Sequence, residues 1–273
     1  MLRIAALLVF GLAGGAHADL VTSINHVRAA GCEAKQGGIA SLRIAPRLGA
    51  TARSVGGAVP LQRALKEAGY RSRKSAVLQV SGAIDDAALA KILQQRFCAT
   101  LIDGAFREIG IHRDAGAVWV VLAAPFAPPG AHDRAGVARQ VLDLVNQARA
   151  KPRACGKTNH PAARPLKANG RLDQAALAHA KDMAAHSTFS HDGRDGSAPA
   201  VRVSRAGYAW QATGENIAAG NASAEETVAG WLQSPAHCAN IMDARFTELG
   251  VGFAVNEQSE MGIYWVQAFG RPR

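Results

Sequence analysis

Beyond its first eighteen residues the chain has no apolar run near the roughly twenty residues that cross a bilayer, which excludes a spanning helix from that part. Cysteine is scarce. There are four in 273 residues, none spaced as C-x2-C, so the usual zinc cage is excluded, and none near the start could carry a lipid. The basic residues are scattered without an aromatic-rich stripe, which weakens a nucleic-acid reading. No histidine lies between His26 and His112.

Arg3, the apolar run Ile4 to Leu12 and Ala16-His17-Ala18 together read as a secretory leader over residues 1–18, with the mature chain beginning at Asp19. This implies export, to the periplasm or the exterior. In an oxidising compartment an even number of thiols pairs. A formal charge of +10 favours salt-sensitive contact with anionic envelope polymers or lipids, although it would also serve solubility alone.

The dominant internal feature is an echo. The run CATLIDGAFREIGI from Cys98 is answered 140 positions later by CANIMDARFTELGV from Cys238. Asn25 and Arg28 answer Asn146 and Arg149, Arg47-Leu48 answers Arg171-Leu172, and Ala68-Gly69-Tyr70 answers Ala206-Gly207-Tyr208. One domain is written twice. Equivalent positions then favour one bridge per copy, Cys32 to Cys98 and Cys155 to Cys238.

Ala123 to Gly136, AAPFAPPGAHDRAG, concentrates proline and glycine and reads as the junction, giving domains at 19–124 and 137–273 with a linker at 125–136. In the second domain, Val137 to Ala150 places Val141, Leu144, Val145 and Ala148 on one helical face. A basic loop, Lys151 to Pro165, follows. Asp173 is placed to cap a second helix with the stripe Ala176, Leu177, Ala180, Met183 and Ala184, and Ser223 with Glu226 forms a capping box for a third. Pro235 opens a short turn through His237, and Gly250–Val255 with Gly262–Phe269 reads as a strand pair. The fold class is α+β.

These residues carry a family pattern. Leu144-Val145-Asn146-x-x-Arg149, His179-Ala180-Lys181-Asp182-Met183-Ala184, Phe189-Ser190-His191, Gly214-Glu215-Asn216-Ile217-Ala218, Gly230-Trp231-x-x-Ser234-Pro235-x-His237 and Tyr264-Trp265-x-Gln267-x-Phe269 occur in order. The second domain thereby resembles the CAP superfamily of cysteine-rich secretory, antigen 5 and pathogenesis-related proteins, in its bacterial secreted form. The resemblance implies an α-β-α sandwich with a central antiparallel sheet, and the first domain looks like a worn tandem copy of it. Between Leu48 and Tyr70 that copy spans 22 positions where the second spans 36 from Leu172 to Tyr208. The counterpart of Phe189-Ser190-His191 is missing, Val77 stands against Glu215, and Phe97 against His237.

His191, Glu215 and His237 match the family's cleft residues, which implies a divalent metal site, zinc foremost, with Glu215 as ligand, orienting partner or general base. Where the eukaryotic branch carries a second glutamate, this sequence has Ser234. His179 and His186, like Trp210, Trp231, Tyr264 and Trp265, read as structural, as do the amides of Asn216 and Gln267; His132 and His160 read as loop residues. The implied function is an exported module whose cleft takes a metal, a lipid-like ligand or an envelope partner. The alternatives are a zinc-dependent hydrolase of protein or envelope polymer using the same cleft, and an adhesive envelope protein whose charge alone does the work. Ser190 and Ser234 lack an acid to complete a nucleophilic triad.

Overall fold

The computed structural model describes residues 18–32, 35–82 and 85–273. The expected leader lies outside them, apart from Ala18 at the start of the first helix. The chain divides into two compact units, Met1–Phe126 and Ala127–Arg273. The first runs α1 (Ala18–Ala30), β1 (Gly31–Cys32), β2 (Lys35–Gln36), β3 (Arg43–Ile44), α2 (Pro46–Gly56), α3 (Leu61–Glu67), β4 (Ser72–Ser81), α4 (Asp86–Leu101), β5 (Glu108–Arg113) and β6 (Ala117–Pro125). Its sheet has the order β3-β5-β6-β4.

After a 3-10 turn at Ala131–Asp133, the second unit runs α5 (Arg134–Arg149), β7 (Arg153–Cys155), β8 (Thr158–His160), β9 (Lys167–Ala168), α6 (Gly170–His186), α7 (Pro199–Arg205) and β10 (Trp210–Ala219). It continues with α8 (Ala224–Gln233), α9 (Pro235–Met242), β11 (Glu248–Val255) and β12 (Ile263–Pro272). Its sheet order, β9-β11-β12-β10, repeats that of the first unit element for element.

Both sheets are antiparallel except at one edge. β9 runs parallel to β11 and β3 parallel to β5, a departure from the expected all-antiparallel sheet. The cause is topological: helices and a further strand separate the members of each pair in the chain. The connection between units is also shorter than the expected linker, because Ala123–Pro125 belong to β6 and α5 already begins at Arg134.

Alternation along β6 sorts the first core into two layers. Val118, Val120 and Leu122 pack with α1 and α4, while Ala117, Trp119, Val121 and Ala123 pack with α2 and α3. In the second unit Tyr264, Val266 and Ala268 face α6 and α7. Successive strand residues point to opposite faces, so a period of two builds helix layers on both sides of one sheet.

The echoed residues do the same work in each unit. Arg149 is fully buried, and its guanidinium donates to the carbonyls of Arg164 (2.8 Å), Ile241 (2.6 Å), Asp243 (3.0 Å) and Phe246 (3.3 Å). Arg28 donates likewise to Ala40, Leu101, Asp103 and Phe106. Asn146 exchanges two hydrogen bonds with the Leu166 backbone, and Asn25 with that of Leu42. Tyr208 donates to Glu248 at 2.6 Å and Tyr70 to Glu108 at 2.8 Å. The bridges are Cys32–Cys98 and Cys155–Cys238.

One expected cap is different. Asn169 caps α6, accepting from Arg171 and Leu172 N–H, whereas the half-buried Asp173 carboxylate accepts from Val251 N–H and ties the helix to β11. At Ser223 the expected cap is present, and Glu226 accepts from Ala222 N–H.

Candidate functional site

β10 is the edge strand of the second sheet, and consecutive residues on it serve opposite faces. Glu215 lies opposite Ala268, whose side chain belongs to the layer under α6 and α7. Asn216 lies opposite Gln267 and reaches the α9 side, where its amide donates to the His237 carbonyl at 3.1 Å. The edge strand thus draws on both helical layers.

Glu215 is the hub. Its carboxylate is almost entirely buried, with Oε1 at 2.8 Å from His191 Nδ1 and Oε2 accepting from the Arg202 guanidinium at 2.7 Å. Arg202, on α7, also donates to the carbonyls of His191 (2.8 Å) and Ser197. His191 stands in the loop after α6, which the left-handed Ser187 (φ 52°) turns away from the helix axis. Half of its side chain is exposed, and its Nε2 has no hydrogen-bond partner among the described residues.

His237 lies on α9, a helix opened by Pro235 and tied down by Cys238. Its ring has no hydrogen-bond partner among the described residues, and its pKa is lowered by burial and then by the neighbouring His191 charge. That coupling sets the two imidazoles within electrostatic reach of one another. Behind them, the Asn240 amide donates to Glu215 O (3.2 Å) and to Asn216 Oδ1 (2.9 Å), and Asn216 donates to Gln267 Oε1 (3.1 Å). The buried amides hold the backbones of Glu215 and His237, the supporting role expected of them.

The structure therefore brings His191 and Glu215 into direct contact, and Asn216, the residue after Glu215, ties that strand to the His237 backbone. It also adds His179 and Arg202. His179 is 1 % exposed on α6, with Nε2 at 2.9 Å from the Ser190 carbonyl and 4.0 Å from Glu215 Oε1. Burial lowers its pKa, so at neutral pH the approach to Glu215 is not an ion pair. Helical spacing from Leu172, Ala175 and Ala176 places His179 on the buried face, and that is the signal that could have found it. Arg202 follows from no sequence spacing.

His186 sits apart on Asp182, and His132 is exposed beside Asp133. His160 lies in β8, not in a loop, because Thr158–His160 pairs with Arg153–Cys155; its Nε2 is buried without a partner. Trp231, Tyr264 and Trp265 are core residues, and Trp210 is half-buried with its indole on Ser204. Neither the Ser190 nor the Ser234 hydroxyl meets a histidine ring nitrogen among the described residues.

Two imidazoles with unpartnered nitrogens suit a divalent cation that takes its remaining ligands from elsewhere. Each Glu215 oxygen already accepts one charge-assisted hydrogen bond, Oε1 with His191 and Oε2 with Arg202, which suits the orienting role among those expected of it. Among the described residues no three His, Cys, Asp or Glu side chains are grouped to hold a metal by themselves.

Among the described residues the first unit shows no such arrangement. Val77 lies opposite Val121 and, across it, Gly110, the register that Glu215 shares with Ala268 and Gly250. There α2 ends at Gly56, and the rings of His112 and Trp119, stacked at 5.9 Å, pack against that glycine.

Residues 142–269 match the model of the cysteine-rich secretory protein family, CAP, and form a CAP domain. Over 131 residues the chain is 30 % identical to the uncharacterized protein YkwD of Bacillus subtilis, covering 48 % of this chain and 46 % of that one. Over 114 residues it is 31 % identical to the uncharacterized membrane protein YlbC of the same organism, covering 42 % and 30 %. It thus spans less than half the length of these curated relatives. Among solved structures, an extracellular SCP-domain protein of Bacillus anthracis is 23 % identical, with 60 % of each chain covered and a TM-score of 0.44. A cysteine-rich secretory protein of Staphylococcus aureus is 11 % identical, covering 59 % and 54 %, with a TM-score of 0.40.

Proposed function

We propose that the CAP domain is the binding module of an exported protein, in which His191 and His237 hold a divalent cation, zinc foremost, at the mouth of a cleft for an envelope-derived or lipid-like ligand. The contact between Glu215 Oε1 and His191 Nδ1 carries this reading. A carboxylate on one imidazole nitrogen fixes the tautomer and aims the other nitrogen outward, as partners of metal-bound histidines do. Arg202 anchors that carboxylate from its other oxygen. His237, biased towards its neutral form, offers a second donor. A bound cation would polarise an oxygen of the ligand.

Zinc-dependent hydrolysis is the competing reading. It needs a base, and the two hydrogen bonds that Glu215 accepts from His191 and Arg202 favour an orienting role over a basic one. Two disulfides and the absence, among the described residues, of a helix long and apolar enough to cross a membrane are consistent with export. The same proposal takes the first unit as a degenerate tandem copy, supported by the shared strand order and the paired arginine networks, and gives it no metal.

Calorimetric titration of zinc into the full chain tests the site. His191→Ala with His237→Ala should abolish binding, and Glu215→Gln should weaken it by about 10- to 100-fold. Equal affinity in the double variant and the parent would sink the proposal. Zinc binding without turnover of peptide, ester or glycan substrates would separate a binding module from a hydrolase.

A further inference from the structure

Around the Cys155–Cys238 bridge the second unit gathers cations without carboxylates. Seven lysines and arginines lie between Asp143 and Asp173, with no aspartate or glutamate among them. The stretch that the bridge ties in, Thr227 to Met242, holds no carboxylate either.

Hydrogen bonds fold the basic stretch onto itself. β7 pairs with β8 from Arg153–His160 to Cys155–Thr158, which leaves Lys157 in the turn. Ala163 N–H donates to the Arg149 carbonyl at 2.9 Å, and Arg149 Nε donates to the Arg164 carbonyl at 2.8 Å. The limb after β8 is thereby laid against the end of α5, and Arg164 returns to the root of the hairpin that Lys151 begins. The turn itself rests on α9. A Cβ added to Gly156 would stand 3.0 Å from the Pro235 Cβ, and His237 follows two residues later on that helix.

Four cations are left for a partner. Lys151, Lys157 and Arg164 are exposed and Arg153 is half-buried, and none of the four forms an ion pair among the described residues. Lys167 lies opposite Glu248 in the sheet and Arg171 donates to the Gly207 carbonyl, so neither belongs to the patch. The fold does not need this charge. Between Arg28 and Arg47 the first unit carries Lys35 and Arg43 against Glu33, with Arg43 bridged to Glu108, whereas between Arg149 and Arg171 the second carries five cations and no carboxylate.

The surroundings narrow the partner. No Phe, Trp or Tyr lies between Phe126 and Phe189, so the hairpin and its return limb offer no such ring for stacking bases. None of the exposed large apolar side chains of the described residues falls in 144–172 or 227–242, which leaves the patch without a wedge for a bilayer. Phosphate oxygens accept from a lysine ammonium and from an arginine fork alike.

We infer that the β7–β8 hairpin and its return limb bind a linear phosphate polymer that carries no bases, through Lys151, Arg153, Lys157 and Arg164, and hold it beside α9. The surface stands apart from the metal proposed at His191 and His237 and does not depend on it.

The test is the fluorescence anisotropy of end-labelled inorganic polyphosphate titrated with the full chain in the presence of a chelator. Lys151→Gln, Lys157→Gln and Arg164→Gln in one chain should weaken binding about 100-fold at about 0.1 M salt and reduce the salt slope by about 2, from about 0.7 per lost contact. Arg53→Gln, Lys66→Gln and Lys91→Gln, all at exposed positions of the first unit, remove the same net charge and should leave affinity within about twofold. His191→Ala with His237→Ala should bind polyphosphate as the parent does. Equal losses in the two triple variants, or no loss in the hairpin variant, would overturn the site. Tighter binding, per negative charge, of single-stranded DNA, phosphatidylglycerol vesicles or polyglutamate would overturn the base-free phosphate polymer as its partner.

Discussion

Arg149 shows why an echoed cation can sit in a core. Its burial lowers its pKa, yet five guanidinium N–H groups against four carbonyl oxygens make it the hinge pin between α5, the 160s loop and the turn after α9. Arg149→Met strips four carbonyls of this donor, of which Asp243 O still accepts from Phe246 N–H, and should cost at least about 3 kcal/mol in urea unfolding. The sequence made the recurrence of Arg28 and Arg149 visible, but not what they hold. Glu215 and the two cleft histidines were legible only through family motifs. Arg202 was not legible, because a residue on a short helix meets Glu215 across the fold and leaves no local pattern.

At the same scale, burial lowers the pKa of His179 and of His237, so the folded chain binds fewer protons than the unfolded one below the ordinary imidazole value near 6.5. The stability these two neutral rings contribute is present above about pH 6.5 and is lost as pH falls through their lower folded values. Urea midpoints should therefore decline from pH 7.5 to 5. His179→Gln should flatten that decline.

Among the elements, α6 lies so close to β11 that glycine is required beneath it. A Cβ on Gly250 would stand 2.0 Å from Leu172 C, and one on Gly252 would stand 2.2 Å from Leu177 N. Gly110 meets Leu48 in the same way in the first unit. Gly250→Ala should cost about 1–3 kcal/mol or more by overpacking, measured as a shift in thermal midpoint. The register of Gly252 is instead His112 in the first unit, where α2 stops short and Trp119 occupies the released space.

The helices α5, α6 and α8 and the strands β11 and β12 were readable from periodicity and capping, whereas the segment after Pro235, expected as a short turn, is the helix α9. β10 was not. An edge strand that sends Glu215 and Asn216 to different layers, among small residues, shows no clean alternation of polar and apolar side chains.

For the whole molecule, the difference between the units predicts a stoichiometry. Calorimetry should return one zinc per chain, since Val77 stands at the register of Glu215 and the first unit has no counterpart of His191. The net charge of +10 predicts that association with an anionic envelope polymer weakens as salt rises from 50 to 500 mM, on the order of several-fold or more, whereas a cleft-specific contact would resist salt. Pull-down across that range reads the difference.

The bridge Cys155–Cys238 lies one residue from His237 and fastens α9 to the β7–β8 hairpin, while the matching Cys32–Cys98 lies one residue from Phe97. In the second unit the covalent tie sets the resting position of a donor atom as well as the packing of a helix. Thiol chemistry in the surrounding medium would then govern cation affinity from a distance: the Cys155→Ser, Cys238→Ser chain would keep both imidazoles yet hold zinc less tightly, as loosened tongs grip less well than rigid ones.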